Sequence, residues 1–120
     1  IYLMKKISQI INENVNVGIQ NLNSELLYIT ESNSQVGSLV LIYNEECASI
    51  FSVEVLGLHR GKGYGKRLVE NAINRCKEKG CNSIELNTEL DNKVANSLYL
   101  SLGFELKGIK DGFNNYLKKM

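Results

Sequence analysis

Seven consecutive residues have the composition of a loop that binds anions. They are Arg60, Gly61, Lys62, Gly63, Tyr64, Gly65 and Lys66. Glycine has no Cβ atom, so three glycines at alternate positions let backbone amides approach a ligand closely. A strand-like run precedes the loop and a run with helical periodicity follows it, so the helix N-terminus would add its positive dipole. This pattern predicts the binding of a phosphate group.

Two common phosphate-binding sequences do not match this loop. A P-loop, GxxxxGK[ST], would need glycine at Arg60 and serine or threonine at Arg67. The dinucleotide pattern GxGxxG, begun at Gly61, would need glycine at Lys66. Neither nucleotide motif is therefore present.

A different pattern, [Q/R]-x-x-G-x-[G/A], does match from Arg60 to Gly65, directly after a strand-like run that contains Val53-Glu54-Val55. A second pattern lies in residues 92–104, NxxAxxLYxxLGF. Together they resemble the acetyl-CoA pyrophosphate loop and the late core helix of the GNAT superfamily of N-acetyltransferases. With the strand order, the resemblance covers residues 36–118.

The resemblance implies that acetyl-CoA is the cosubstrate, without a metal ion. Backbone amides from Gly61 to Lys66 would bind its pyrophosphate, and the side chains of Arg60, Lys62 and Lys66 would add positive charge. An amine-bearing acceptor would be the second substrate.

In this family the strand before the loop splays from its parallel neighbour, and the pantetheine arm lies in the gap. Val53 and Val55 occupy the matching positions, and a backbone N–H near Val55 would polarise the thioester carbonyl. Asn92 would hydrogen-bond the pantetheine arm or an ordered water. Tyr99 would be the general acid that protonates the departing thiolate. The residues alone also allow Tyr99 to be a core aromatic on an apolar helix face.

A base must accept a proton, because an alkylammonium with a pKa near 10 is not nucleophilic. Glu54 and Glu85 are candidates acting through water, and Glu89 lies on the same strand face as Glu85. Each of them also suits an ordinary solvated or paired acid. Asn87 stands where some family members that acetylate N-terminal amines have glutamate. His59, the only histidine, is a weaker candidate.

Hydrophobic periodicity predicts the elements that position these residues. Expected strands are 25–29, 36–43, 48–56, 83–90, 104–109 and 113–118, and expected helices are 3–11, 68–76 ending at Gly80, and 94–102. The helix between two strands predicts a parallel pair of 48–56 beside 83–90.

The expected fold is therefore of the α/β (α+β) class. It is a GNAT fold with a twisted, mixed, mostly antiparallel sheet, a splayed parallel pair and flanking helices. Compared with the family pattern, we expect the N-terminal strand and one of the first helices to be missing, and residues 1–120 would form one domain, with N-terminal truncation as an open alternative. Gly57 replaces a common proline, and a glycine there can support a strand bulge.

The composition bears on the location of the protein and on its partners. Three cysteines without CxxC spacing favour free thiols and a cytoplasmic location, and no segment resembles a membrane span or signal peptide. The net charge of +1 hides an acidic stretch, residues 7–59 with six acidic side chains and no Lys or Arg, followed by a basic one, residues 60–79. The basic stretch suggests a phosphate-bearing partner and the acidic stretch a cationic acceptor, whereas the near-zero total charge argues against nucleic acid as a partner. A monomer or homodimer is expected.

The leading hypothesis is an acetyl-CoA-dependent N-acetyltransferase that acts on a primary amine, of a small molecule or of a peptide or protein, by direct transfer in a ternary complex. The alternative is a noncatalytic CoA-binding or regulatory module with the same fold. A third reading is an unrelated α/β interaction domain whose glycine-rich loop is a structural turn.

Overall fold

The computed structural model describes residues 23–120, which contain six strands, two α-helices and one short 3₁₀ helix. The strands are β1 (Asn23–Glu31), β2 (Ser34–Asn44), β3 (Cys47–Val55), β4 (Ser83–Glu89), β5 (Glu105–Lys110) and β6 (Phe113–Lys119). The helices are α1 (Tyr64–Glu78) and α2 (Lys93–Ser101), and the 3₁₀ helix is Gly57–His59. The helix predicted over residues 3–11 lies outside the described residues.

All six strands form one sheet in the order β1-β2-β3-β4-β6-β5. The pair β3/β4 is parallel, and the other neighbours in the described sheet are antiparallel. The mixed sheet and its parallel pair confirm the prediction from the strand–helix–strand spacing. The β1–β2 hairpin turns at Ser32 and Asn33, whose φ angles of 51° and 68° suit the tight turns of twisted hairpins.

Helix α1 covers one face of the sheet with its apolar side. Its five buried residues are Leu68, Val69, Ala72, Ile73 and Cys76, as the sequence pattern predicts. The helix ends at Gly80 in a Schellman motif, in which the Cys81 amide donates to the Cys76 carbonyl at 2.9 Å and the Gly80 amide to the Lys77 carbonyl at 3.1 Å. This confirms the predicted end of the helix.

A charged network joins α1 to the edge of the sheet. Arg75 on α1 pairs with the carboxylate of Glu25 on β1, which also accepts a hydrogen bond of 2.6 Å from the Tyr43 hydroxyl on β2. Burial favours the neutral acid, but the hydrogen bonds from Arg75 and Tyr43 outweigh it and lower the pKa of Glu25. The network fixes β1 and β2 against the helix.

Strand β4 is an interior strand of the sheet, and its residues alternate between buried and exposed as expected for a strand with one buried face. Ile84, Leu86 and Thr88 are buried, whereas the three residues between and after them, Glu85, Asn87 and Glu89, are exposed. Cys76 and Cys81 are buried free thiols, and Cys47 is a half-buried one. Neither α-helix between residues 23 and 120 is long and apolar enough to cross a membrane.

Candidate active site

The parallel strands β3 and β4 separate partway along their length. Their ladder has four pairs and ends where Ile50 lies beside Leu86. Two residues later β3 contains a bulge, since Ser38 and Val40 of β2 pair with Glu54 and Phe51, and Ser52 has a φ of 54°. The bulge therefore lies at Ser52, and Gly57, where the sequence suggested one, begins the 3₁₀ helix instead.

A cleft of about 320 Å³ lies at this opening. Its walls come from residues 49–53 of β3, residues 85–89 of β4, Phe113, and one side of α2 with its N-cap, namely Asn92, Ala95 and Tyr99. Of the predicted site residues, Val53, Glu85, Asn92 and Tyr99 line the cleft. Because β3 and β4 have no ladder beyond Ile50 and Leu86, the backbone groups that face each other across the gap are available to a ligand.

Tyr99 lies at the base of the cleft with its ring in the core. The residue is 5% exposed, and its ring packs edge-on against Phe104 at 6.0 Å and at a tilt against Tyr116 at 5.9 Å. Burial raises the pKa of Tyr99, so its hydroxyl keeps its proton. Within residues 23–120 that hydroxyl has no hydrogen-bond partner. The ring is thus structural, and the hydroxyl is free to donate to a group in the cleft.

Asn92 caps helix α2. Its Oδ1 accepts a hydrogen bond from the Ala95 amide at 3.1 Å, which satisfies one of the unpaired N–H groups of the first turn. The side-chain amide nitrogen remains as a donor toward the cleft, which Asn92 lines. Asn92 thus has a structural role that its place in the sequence motif did not indicate.

Asn96, one turn further along α2, was missed by the sequence analysis. Its Nδ2 donates to the carbonyls of Glu89 at 3.0 Å and Asn92 at 2.8 Å. Its Oδ1 accepts from Tyr116 at 2.6 Å and from Asn114 at 2.8 Å. Asn96 therefore ties the helix that carries Tyr99 to β6 and to the end of β4. A polar residue within an apolar helical pattern was the signal available in the sequence.

The glycine-rich loop follows the bulged strand at the same end of the sheet. Gly61 and Gly63 both have φ of 80°, and a Cβ on either would meet no atom within 4 Å. Turns that contain such left-handed residues can direct neighbouring amides into a concave anion site. Gly63 is also the N-cap of α1 without a side-chain cap hydrogen bond, so the first amides of the helix stay available. This arrangement suits a diphosphate.

The basic side chains of the loop differ in their contacts. Arg60 donates from Nε to the Val55 carbonyl at 3.0 Å, which joins the loop to the end of β3. Lys62 binds Glu31 at the end of β1, with Nζ 3.0 Å from Oε1. Lys66 is exposed on the first turn of α1. A Cβ on Gly65 would lie 3.7 Å from Leu98 Cδ2, so the start of α1 closely approaches α2.

The two predicted carboxylates have different positions. Glu85 lines the cleft and accepts a hydrogen bond of 2.9 Å from Ser49 on the neighbouring strand. Glu54 is exposed on β3, and neither Glu54 nor Val55 lines the cleft. Glu89 lines the cleft with Glu85. Of the two candidate bases, the geometry favours Glu85.

The acidic stretch does not gather at the cleft. Among its described members, Glu25 is bound by Arg75, Glu31 by Lys62, and Glu46 accepts from Asn82 at 2.8 Å. The carboxylates that line the cleft come from β4 instead. Three of the five acidic residues that the structure describes in this stretch are therefore paired outside the cleft, and the attraction of a cationic acceptor by the stretch stays a prediction.

Comparison with known proteins places the fold and its loop in a family. Residues 11–104 match the sequence model of the acetyltransferase (GNAT) family. The chain is 30% identical over 98 residues to a [ribosomal protein bS18]-alanine N-acetyltransferase of Haemophilus influenzae, covering 82% of this chain and 64% of that protein. It is 34% identical over 79 residues to an uncharacterized N-acetyltransferase of Methanocaldococcus jannaschii, covering 66% of this chain and 35% of that protein.

A solved structure extends the likeness to the whole fold. The PaiA N-acetyltransferase of Thermoplasma acidophilum, in complex with coenzyme A, superposes with a TM-score of 0.80 at 20% identity, covering 98% of this chain and 69% of that one. The chain thus spans about a third to two thirds of the length of the two curated relatives described above. The sequence match and the likeness of the fold point to the same family. The chain belongs to the GNAT acetyltransferase family.

Proposed function

We propose that this chain is an acetyl-CoA-dependent N-acetyltransferase that transfers the acetyl group directly to a primary amine within a ternary complex. The observation that carries the proposal is the parallel ladder that ends at Ile50 and Leu86 and opens a cleft onto Tyr99. The glycine-rich loop lies at the same end of the sheet, so one extended ligand could reach both.

Binding of acetyl-CoA would use the loop and the cleft together. The amides from Gly61 to Lys66 would hold the diphosphate, with charge from Arg60 and Lys66 and with Lys62 held beside Glu31. The unpaired edge of β3, where Val53 lines the cleft, would hydrogen-bond the pantetheine arm, as would the free amide nitrogen of Asn92. The complex of coenzyme A with the Thermoplasma relative supports this ligand.

Acetyl-CoA supplies an acetyl group activated as a thioester. In the transfer, the amine nitrogen forms a bond to the carbonyl carbon, and the carbon–sulfur bond breaks. A backbone N–H near Val55 would stabilise the negative charge that develops on the carbonyl oxygen. Tyr99 would give its proton to the thiolate. A carboxylate, Glu85 rather than Glu54, would accept the first proton of the ammonium through water, and the second proton, which the nitrogen loses as the amide forms, would pass to solvent, from which Tyr99 regains its own.

The acceptor would be a positively charged amine. Glu85 and Glu89 both line the cleft and supply negative charge there. The name of the Haemophilus relative specifies an alanine of a ribosomal protein as its acceptor, so peptide N-termini belong among the candidates here. Small amines are equally compatible with a cleft of about 320 Å³.

A thiol-release assay tests the proposal. Acetyl-CoA is incubated with the protein and a panel of polyamines, aminoglycosides, amino acids and peptides, and free CoA thiol is measured against a blank without amine, since Cys47 is half-buried and free. We expect turnover with at least one amine and an N-acetylated product of matching mass. CoA binding without thiol release from any amine would support the noncatalytic module instead.

A further inference from the structure

One carboxylate outside the cleft contacts two side chains of the glycine-rich loop and the histidine just before it. Glu31, at the end of β1, receives the Tyr64 hydroxyl on Oε2 at 2.5 Å and the Lys62 ammonium on Oε1 at 3.0 Å. His59 Nδ1 lies 3.2 Å from Oε2. These contacts join the end of β1 to residues 59–64, which include the first part of the loop. We call these four residues, Glu31, His59, Lys62 and Tyr64, the Glu31 cluster.

The loop has little else to hold it in place. The 3₁₀ helix that leads into it has no buried residue, and a Cβ on Gly61 or Gly63 would meet nothing within 4 Å. Glycine carries the largest backbone entropy, so this loop has a strong tendency to disorder unless side-chain contacts fix it. Arg60, bound to the Val55 carbonyl, supplies one such contact, and the Glu31 cluster supplies three.

The carboxylate is suited to this task over a wide pH range. Hydrogen bonds from Tyr64 and Lys62 lower the pKa of Glu31 to about 2. A carboxylate offers about four lone-pair sites, so Glu31 can accept from Tyr64 and Lys62 and still lie beside His59. Glu31 therefore stays charged at ordinary assay pH.

We propose that Glu31 is a positioning residue that holds residues 59–64 in the conformation that binds the diphosphate of CoA. This inference rests on the proposed function. Simple electrostatics predicts the opposite effect, because a negative charge beside an anion site should weaken the binding of a polyanion. If Glu31 acts mainly through its charge, its removal tightens CoA binding and frees Lys62. If Glu31 acts by positioning, its removal weakens CoA binding.

The experiment compares wild type with Glu31→Gln and with a matched control, Glu70→Gln. Glu70 is an exposed carboxylate on α1 close to the loop and outside the cluster, so the control makes the same charge change. Dissociation constants are measured for CoA and for pantetheine, which has no phosphate. NMR amide resonances of Gly61 and Gly63 report the loop conformation without ligand.

For Glu31→Gln we expect altered resonances at Gly61 and Gly63 and CoA binding weakened about tenfold, with pantetheine binding unchanged, because only the diphosphate contacts are disorganised. Glu70→Gln should resemble wild type, and Tyr64→Phe, which removes one of the three contacts, should show a smaller loss. A general loss of folding would weaken both ligands alike and contradict the inference.

The outcomes separate this inference from the proposed function. If wild type binds CoA and Glu31→Gln binds it as tightly or more tightly, the positioning role is wrong and the proposed function stands. If wild type does not bind CoA at all, the proposed function fails and the inference fails with it.

Discussion

Ile50 of β3 and Leu86 of β4 form the last pair of the parallel ladder, and the bulge at Ser52 follows two residues later. The two strands are therefore hydrogen-bonded to each other at one end, whereas at the other end their facing backbone groups are not paired with each other. The cleft, Tyr99 and the glycine-rich loop all lie at the open end. This separation of the strands is the structural basis of the proposed acetyl-CoA site.

The bulge can be tested at Ser52, whose φ is 54°. A β-branched residue is strained there, so Ser52→Val should cost about 1–2 kcal/mol of stability or straighten the strand. We expect weaker CoA binding together with a lower urea midpoint. Ser52→Gly, which accepts the same backbone conformation, should keep the affinity of wild type. Equal CoA affinity in Ser52→Val and wild type would show that the bulge does not shape the site.

Tyr99→Phe separates catalysis from packing. The substitution keeps the ring contacts with Phe104 and Tyr116 and removes a hydroxyl that has no partner among residues 23–120. We expect kcat to fall roughly 100-fold, the scale of general acid catalysis, while the dissociation constant of acetyl-CoA and the melting temperature stay nearly unchanged. Parallel loss of turnover and of folding stability would assign Tyr99 to packing alone.

The pH dependence of turnover offers an independent check on Tyr99. Its raised pKa keeps the phenol protonated at pH values where an ordinary tyrosine, with a pKa of about 10, begins to ionise. We expect no fall in kcat between about pH 8 and 10 attributable to this group. A loss of kcat in that interval that disappears in Tyr99→Phe would contradict the assignment.

Asn96 should make a large contribution to the free energy of unfolding. Asn96→Ala leaves the Tyr116 hydroxyl without its 2.6 Å acceptor and frees the start of α2 from β4 and β6. Unpaired groups of this kind cost about 1–3 kcal/mol each. Chemical denaturation should therefore show a loss in this range, with little change in Ser97→Ala, an exposed substitution on the same helix. Similar midpoints for both variants would contradict the role of Asn96.

Acid should lower the stability of the folded protein through the protonation of Glu25. Its pKa is lowered in the folded state, so its contribution is complete above the unfolded value of about 4.5 and is lost as pH falls below it. Glu25→Gln should be less stable than wild type by about 1.5–3 kcal/mol at pH 7, the range for hydrogen bonds to charged groups, and the difference should shrink at pH 3. Denaturation curves at the two pH values, with exposed Glu45→Gln as control, measure this. A difference that is independent of pH would contradict it.

Local patterns predicted the elements well because periodicity records which side of each element is buried. The alternation along β4 and the apolar face of α1 are examples, and the bounds of the elements differ by only a few residues. The parallel pair followed from chain connectivity alone. These features depend on residues that are near one another in sequence.

Features that depend on distant residues could not be predicted in this way. Glu31 lies about thirty residues before the loop that it contacts, and only the sheet topology brings the two together. The bulge uses Ser52, a residue without the glycine signal of a left-handed backbone. Charge counting along the chain likewise does not show which carboxylates line the cleft, because Glu85 and Glu89 belong to β4 and not to the acidic stretch.

The most direct test of the account is calorimetric titration of CoA into wild type and Gly63→Glu. Gly63 has a φ of 80° in the middle of the loop, so a glutamate there is strained and brings negative charge to the amides. Gly108→Glu, on β5 with open space around it, is the matched control. We expect saturable binding at one site for wild type and for the control, and at least tenfold weaker binding for Gly63→Glu. Equal binding by all three proteins, or none by wild type, would contradict it.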